Sequence, residues 1–243
     1  MSNMKLSQPT SRGLNLVPIS EALRGTSASS LHSESLTRIA RWCVEYLCKP
    51  HPEVGRSGVV CPWTPAAMKR ETFWLVDIYT QGRSREEIND DILSLIDSFK
   101  RQLPHEGNAT QFKTIVGVLH GLEPSETVNT LHARLKPAFL DAGLMLGEFY
   151  EGCEKPGLRN QNFRPLRAPT PLLVVREMVE IDIAFLADRP AFIDAYLRQH
   201  GDRGKVAIRQ VLNQNEKLAF TQTQIDALRA ITRDGELAVK TIK

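Results

Sequence analysis

The sequence predicts an α+β protein in which helices cover a mixed or antiparallel sheet of four strands. Four short runs of apolar and β-branched residues have the length of buried strands, and apolar residues recur at helical spacing between them. The predicted order is a helix, then strand, helix, strand, helix and two strands, followed by helices only. Because this order lacks the strict alternation of a parallel α/β fold, we expect helices on one face of the sheet, a single domain at residues 30–243 and a flexible arm at residues 1–29.

The N-terminal part is predicted to contain the arm, one helix and one strand. Residues 1–29 are rich in Ser, Thr, Gly and Pro, which is typical of a flexible segment, although an apolar patch at residues 14–19 can dock on the core. A helix is predicted at residues 31–47, where apolar residues lie three or four positions apart, and Pro50 ends this pattern. Residues 73–79 are predicted to form a core strand.

The next helix has clear signals at both ends. Ser84 is its predicted N-cap, and Glu86 and Glu87 in the first turn interact favourably with the helix dipole. The buried stripe extends to Phe99, and Pro104 stops the helix.

Strands and helices alternate up to a long irregular segment. The sequence predicts a strand at residues 115–120, a helix at residues 125–142 that Pro137 kinks or shortens, and a strand at residues 144–149. Residues 151–171 show no regular pattern. Irregular segments of this length are uncommon inside a compact domain and are often functional.

The last strand is predicted at residues 172–176 and is followed only by helices, so residues 203–243 are predicted to form a helical extension. The first of these helices is capped by Asp188, has Pro190 near its start and runs to Gly201. Further helices are predicted at residues 206–213 and 222–233.

Composition and charge restrict the class of protein. Hydrophobic residues make up 42% of the 243 residues, charged residues make up 24%, and the net charge is +3, which is typical of a globular protein without a nucleic-acid partner. The longest apolar run, residues 172–175, is too short to span a membrane, and the N-terminus lacks the apolar core of a signal peptide. We therefore expect a cytoplasmic protein with free thiols at its four cysteines, a small-molecule substrate and no membrane partner; a homodimer stays open.

One cysteine lies in an unusual local context. Residues 55–65 form a loop rich in proline and glycine, in which Cys61 directly precedes Pro62 and lies close to Trp63. Because proline disfavours a helical conformation at the residue before it, the thiol is expected on a stiff, extended backbone. Three interpretations are open: a buried free thiol, a thiolate ligand of haem iron with Trp63 as an apolar wall, and a nucleophile activated by a nearby base.

A zinc site is a further alternative for the same region. Two residues separate Cys48 from His51 in the sequence. Cys43 precedes this pair and Cys61 follows it. The paired, closely spaced ligands that characterise zinc sites are missing, and Cys43 belongs to the apolar stripe of its helix. His51 is also the histidine nearest in sequence to Cys61, and therefore the first candidate for a base beside it.

The second notable segment is a basic loop, residues 155–169. It carries Arg159, Arg164 and Arg167 on a backbone stiffened by prolines. Because arginine presents a planar fork of donors that matches carboxylate and phosphate, this loop is a candidate anion clamp. The alternative is that these arginines are solvated or pair with nearby acidic residues such as Glu154.

Three further residues complete the candidates. Arg176 lies in the strand after the basic loop, His120 ends a predicted strand, and His132 lies in a helix. Either histidine is suited to carry a proton if it faces a cleft, and no residue is assigned to catalysis. The sequence contains no Walker loop, dinucleotide glycine fingerprint, G-x-S-x-G elbow or H-E-x-x-H helix, so the function classes that use these motifs have no support.

Residues 51–63, 157–160 and 163–173 resemble a bacterial family of uncharacterised domains that is often encoded near natural-product genes. The shared motifs are GRxGxVCP in the first segment, GLRN in the second and FRPLRAPxPLL in the third. The resemblance covers about residues 35–200. A more distant similarity is to the YqcI/YcgG family, which includes haem-dependent enzymes that hydroxylate nitrogen in substrates derived from amino acids.

The YqcI/YcgG resemblance implies haem as the cofactor, with Cys61 as the axial ligand of the iron and arginines that hold its propionates or a substrate carboxylate. We therefore expect a haem-dependent oxygenase or N-oxidising enzyme that acts on an amino-acid-like metabolite in natural-product biosynthesis. The alternatives are a non-enzymatic accessory protein that binds a carboxylated or phosphorylated metabolite, and a transferase with a cysteine nucleophile. The cofactor-binding candidates are Cys61, Trp63, Arg164 and Arg167, and the substrate-binding candidates are Arg159, Arg176 and His120.

Overall fold

Five strands form a mixed sheet, which confirms the predicted α+β class. The computed structural model describes residues 14–25, 32–123, 126–214, 218 and 220–240. The strands are β1 (Val17–Pro18), β2 (Phe73–Tyr79), β3 (Thr114–His120), β4 (Leu144–Phe149) and β5 (Leu172–Glu177). The helices are α1 (Ile19–Arg24), α2 (His32–Trp42), α3 (Trp63–Lys69), α4 (Arg85–Arg101), α5 (Val128–Asp141), α6 (Pro190–Asn213) and α7 (Gln222–Lys240).

The sheet has the strand order β1-β2-β3-β5-β4. β2 and β3 are parallel and are connected through α4. β5 lies between β3 and β4 and is antiparallel to both, so β3 and β4 point in the same direction. The carboxyl ends of β2, β3 and β4 therefore share one edge of the sheet, which we call the carboxyl edge.

Helices cover both faces of the sheet, so the expectation of a single covered face is wrong. Val76 and Ile78 of β2 pack in one core with α4 and α5, whereas Phe73 and Leu75 of the same strand pack in a second core with α1, α2 and α3. The physical reason is visible in β2 itself, since apolar side chains point to both of its faces and both must be buried. A third core joins α6 and α7 to the end of α5.

The N-terminal apolar patch docks on the sheet. Val17 pairs with Leu75 of β2 and adds a fifth strand to the four predicted, while Ile19 and Ala22 of α1 are buried. The predicted flexible arm otherwise falls on residues 1–13 and 26–29, which lie outside the described residues.

Several helix bounds differ from those predicted: α3 occupies the predicted loop from Trp63 onwards, α5 begins at Val128 rather than at residue 125, and α7 continues to Lys240 rather than ending at residue 233. α4 begins at Ser84, whose hydroxyl accepts the backbone N–H of Glu87 at 3.2 Å while the Glu87 carboxylate accepts the N–H of Ser84 at 2.9 Å. α6 is preceded by Arg189 rather than by the predicted cap Asp188. α6 also continues past Gly201, where a non-helical backbone (φ 53°, ψ −129°) replaces the predicted end with a break inside the helix. Within the described residues, no helix is both long and apolar enough to cross a membrane.

Candidate functional site

The two loops that the sequence analysis singled out are in direct contact. The His51 ring stacks on the Phe163 ring, with centroids 4.6 Å apart and an angle of 26° between the planes. The side-chain amide of Asn160 donates a hydrogen bond to the backbone carbonyl of Glu53 at 2.8 Å. The loop before Cys61 and the basic loop therefore form one surface.

Gly55 allows this contact. Its backbone has φ 75°, in the left-handed region, and a Cβ at this position would lie 3.0 Å from both the Cβ and the carbonyl oxygen of Arg159. Glycine is therefore required here for its conformation and for the close approach of the two loops.

An open cleft of about 350 Å³ lies where the loops meet the end of α2. α2 continues into one π-helical turn, Cys43–Leu47, which carries Tyr46 towards the loops. Wide turns of this kind occur frequently at functional sites. The cleft is lined by Trp42, Tyr46, His51, Glu53, Asn162, Phe163, Arg164 and Arg167.

Aromatic rings form one wall of the cleft. Trp42 and Tyr46 stack with centroids 5.6 Å apart, and the Tyr46 ring meets His51 edge-on at 6.3 Å. Trp42 also contacts Phe149 at the end of β4, which ties the wall to the carboxyl edge of the sheet. Burial raises the pKa of Tyr46, and the positive charge of Arg167 opposes this only in part, so the phenol is neutral near pH 7 and able to donate a hydrogen bond.

Two arginines at the cleft converge on one carboxylate. Arg164 Nε lies 3.1 Å from Glu154 Oε2, and Arg167 Nη2 contacts Glu154 Oε1. Hydrogen bonds from Arg164 and then Arg167 hold the pKa of Glu154 below its usual range. This is the ion pairing that the sequence analysis gave as the alternative to a free anion clamp, and the Glu154 side chain is 69% exposed.

Cys61 lies in a different environment. Its backbone N–H donates to the carbonyl of Leu47 at 2.9 Å, which places it beside Cys48 and the end of the π-helical turn. The Cys48 thiol contacts the Met68 sulfur at 3.8 Å. Burial is the main reason why the pKa values of Cys43 and Cys48 are raised, so both favour the neutral thiol.

Arg176 is held by a buried ion pair. Its guanidinium donates to both carboxylate oxygens of Asp182, at 2.7 and 2.5 Å, and lies 5.6 Å from the centre of the Trp63 ring. The Asp182 side chain is fully buried. Burial alone lowers the pKa of Arg176, but the interaction with Asp182 outweighs this effect and the net shift is upward. Arg176 therefore carries its positive charge, which the carboxylate of Asp182 neutralises within the fold.

The structure separates the predicted site residues into groups, and it places Cys61 and Trp63 near Arg176. The cleft contains Arg164 and Arg167, whereas Cys61 and Trp63 are not among its lining residues. An axial thiolate and the anchors of the propionates must face the same cavity to bind one haem, and Cys61 does not line the cleft that contains Arg164 and Arg167. Haem itself stays a prediction. Arg159 is exposed beside Gly55.

The remaining candidates are two histidines and a metal site. His120 Nε2 lies 2.6 Å from Asp77 Oδ1 at the carboxyl edge. His132 is buried, and its Nε2 donates to the carbonyl of Leu146 at 2.9 Å. Within the part of the chain that the structure describes, no three His, Cys, Asp or Glu side chains are grouped to hold a metal ion.

Sequence reasoning missed the aromatic part of the cleft. Trp42 and Tyr46 are four positions apart and therefore lie on one side of the helix, but Tyr46 also fits the apolar spacing of the helix predicted at residues 31–47. Both side chains are only half-buried. The available signal was the position of this aromatic pair at the end of a helix, directly before a loop rich in proline and glycine.

Comparison with known proteins identifies a family without a reaction. No curated protein and no solved structure matches the chain significantly. A family model described as a domain of unknown function, DUF6875, matches residues 36–211. The matched region includes the C-terminal part of α2, both loops and the cleft between them. The match spans well over half of the 243 residues, and the protein therefore belongs to the DUF6875 family.

Proposed function

We propose that the protein binds a small metabolite with a carboxylate and a planar, apolar part in the cleft between the two loops. The observation that carries this proposal is that Arg164 and Arg167, which line the cleft together with the aromatic wall, converge on a single carboxylate. This is the metabolite-binding alternative of the sequence analysis, with the arginines of the basic loop as the anion clamp.

Glu154 marks the position of the ligand's anionic group. Its carboxylate is exposed and belongs to the same loop as the arginines, so its ion pairs form in high dielectric and add little to stability. A ligand carboxylate that displaces Glu154 keeps both guanidinium interactions and adds contact with the rings. The free energy of the exchange therefore comes mainly from the apolar part of the ligand.

The dimensions of the cleft restrict the ligand. Ligand pockets in proteins usually enclose about 300–1,000 Å³, and this cleft of about 350 Å³ is near the lower limit. Trp42, Tyr46 and Phe163 offer ring faces and edges for stacking. A molecule of the size of an aromatic amino acid fits these conditions.

A thermal-shift experiment with a matched pair of ligands tests the proposal. Indole-3-acetate carries the carboxylate and indole-3-acetamide has nearly the same shape without the charge. We expect the acetate at millimolar concentration to raise the melting temperature, because a ligand that binds only the folded state stabilises it, and the amide to have a much smaller effect.

Variants of the two arginines locate the binding site. Arg164→Ala and Arg167→Ala are expected to lose most of the shift, whereas Arg203→Ala, at an exposed pair with Glu180 elsewhere in the fold, should keep it. Equal shifts with the acetate and the amide, or an unchanged shift in both cleft variants, contradict the proposal.

The haem-dependent oxidation implied by the YqcI/YcgG resemblance is a separate prediction with its own test. Protein produced with a haem precursor should then show a Soret band that changes in Cys61→Ala. The third alternative, a cysteine nucleophile, predicts rapid labelling of Cys61 by iodoacetamide at mildly acidic pH. Neither result is expected if the protein only binds its ligand in the cleft.

A further inference from the structure

A histidine and an aspartate form a pair at the carboxyl edge, outside the cleft. Tyr79 and His120 end the adjacent parallel strands β2 and β3 and lie opposite each other in the register. Asp77 is two residues before Tyr79, so the side chains of both point to the same face of the sheet. The Asp77 Oδ1 and His120 Nε2 atoms are 2.6 Å apart.

The geometry fixes the role of each ring nitrogen. The Asp77 side chain is only 9% exposed, whereas the His120 side chain is 22% exposed. Because the carboxylate accepts the proton on Nε2, the neutral imidazole has its lone pair on Nδ1. A histidine oriented in this way by a buried carboxylate is suited to take a proton at its other nitrogen and to be stabilised as the imidazolium.

Tyr79 provides a flat surface beside the pair. Its ring stacks on His120 with centroids 4.9 Å apart and an angle of 17° between the planes, and Tyr79 is 42% exposed. Burial and the charge of Asp77 raise the pKa of Tyr79 to about 12, so the phenol is neutral at physiological pH. Tyr79 therefore adds no second negative charge beside His120.

The backbone around the pair is held firmly. The hydroxyl and the backbone N–H of Thr80 both donate to the carbonyl of His120, at 2.8 and 2.9 Å. Gly121 has φ 71°, and a Cβ there would lie 2.8 Å from the Cβ of Gln81, so the turn after β3 lies directly against the turn after β2. Groups on rigid strand ends are positioned more accurately than groups on loops, and ligands commonly bind at the carboxyl ends of parallel strands.

We propose that Asp77 and His120 form a general acid–base pair that activates a water molecule against a small ester-type carbonyl compound. His120 Nδ1 takes a proton from the water as the water oxygen bonds to the carbonyl carbon, and the π electron pair of the carbonyl moves to its oxygen. This pair re-forms the carbonyl as the bond to the leaving alkoxide breaks, and the proton passes from His120 to the alkoxide, which returns the imidazole to its neutral form. His120 is the catalytic residue in this step and Asp77 is a positioning residue.

Hydrolysis of 4-nitrophenyl acetate by the full chain tests the proposal. We expect steady multiple-turnover hydrolysis above the buffer rate, a loss of ten-fold or more in His120→Gln and a comparable loss in Asp77→Asn. Asp77→Glu keeps the carboxylate and should recover part of the activity, which a purely structural role of Asp77 does not predict. His105→Gln removes an exposed histidine in the segment that leads into the amino end of β3, opposite to the end that carries His120, and should leave the rate unchanged.

The outcomes separate this proposal from the one on the cleft. A wild-type rate in His120→Gln overturns it, and if that variant fails to fold, a wild-type rate in the near-isosteric Asp77→Asn overturns it equally. Arg167→Ala should keep the hydrolysis rate while losing the thermal shift with indole-3-acetate.

Discussion

At Glu154 a residue of the protein occupies the position proposed for the anion of a ligand. Because Arg164 and Arg167 keep its pKa below the usual range, Glu154 is ionised near pH 7 and competes with any bound carboxylate. Glu154→Gln removes this competing charge and nearly preserves the shape of the side chain. We expect the variant to bind indole-3-acetate about three- to ten-fold more tightly in isothermal titration calorimetry. Glu151→Gln, in the same exposed loop, is the matched control, and unchanged or weaker binding by Glu154→Gln would show that Glu154 does not mark the anion site.

Asp182 is the residue whose loss should affect stability most directly. It accepts hydrogen bonds from Arg176 and from the backbone N–H of Val179, and it is fully buried. Asp182→Asn leaves the Arg176 charge without its partner, so we expect the free energy of unfolding in urea to fall by about 3 kcal/mol or more. Asp141→Asn, in the exposed pair with Arg198, should change it by less than about 1 kcal/mol.

The outcome for Asp182 also bears on the predicted role of Arg176. A loss of less than about 1 kcal/mol in Asp182→Asn would show that the ion pair contributes little to stability and does not tie Arg176 to a structural role.

At the residue scale, the sequence indicates contacts whose chemistry is local. The ion pairs of Arg164 and Arg167 with Glu154 were given as the alternative to a free anion clamp, and the structure contains them, whereas the binding role of both arginines stays a prediction. The grouping of Cys61 with these arginines depended on how two loops about a hundred residues apart pack together, which residue type and spacing do not encode.

Among the elements, the contact between the two loops depends on Gly55. Gly55→Ala combines a left-handed backbone with a Cβ that lies too close to Arg159. We expect it to lower the free energy of unfolding by about 1–2 kcal/mol and to reduce the thermal shift with indole-3-acetate. Gly107 also has positive φ but has open space around its Cβ, so Gly107→Ala isolates the cost of the backbone. If both variants bind equally well, the close approach of the loops is not needed for the cleft.

The elements with strong local signals, including strands β2 to β5, were predicted closely, whereas β1 and the π-helical turn were not. α4 has its N-cap, first-turn acids and buried stripe in consecutive sequence, and the capping box at Ser84 is present. β1 has only two residues and forms because it pairs with β2, so the sequence shows no alternating apolar pattern that predicts it. The π-helical turn after α2 likewise could not be predicted, because the spacing of its apolar residues is compatible with an ordinary α-helix.

For the whole molecule, two buried histidines predict how stability depends on pH. Burial, followed by the charge of Lys136, lowers the pKa of His132 to about 3, and burial also lowers the pKa of His200. Glu148 lies 3.1 Å from His132 Nδ1 but the same carboxylate oxygen is held by Lys155, which weakens its effect on the histidine. Both histidines are therefore neutral in the fold.

Stability should consequently fall as the pH is lowered. Below about pH 6.5 the unfolded chain takes up protons that the folded state excludes, so stability present above that pH is lost as the pH decreases towards 3, by up to about 1.4 kcal/mol per pH unit for each group. We expect the free energy of unfolding in urea to be at least about 1 kcal/mol lower at pH 5 than at pH 7. His132→Gln should flatten this dependence, and an equally steep dependence in that variant would show that His132 is not its source.

The class of the fold could be predicted from the sequence but the place of the cleft could not. The order of elements indicated a mixed sheet, whereas the insertion of β5 between β3 and β4 is a long-range pairing. That pairing brings the basic loop back over the carboxyl edge, where it meets the loop before Cys61.

The position of β5 has a consequence for how this protein family can diversify. Since β4 and β5 are antiparallel neighbours, the segment between them leaves and re-enters the sheet at adjacent points, and Tyr150 and Ala168 are joined there by a backbone hydrogen bond. A different sequence or length can replace the interior of this segment without changing the register of any strand. Exchange of this one segment between homologues should therefore transfer ligand preference without changing the strand register, provided that the buried Phe163 and its contact with His51 are kept.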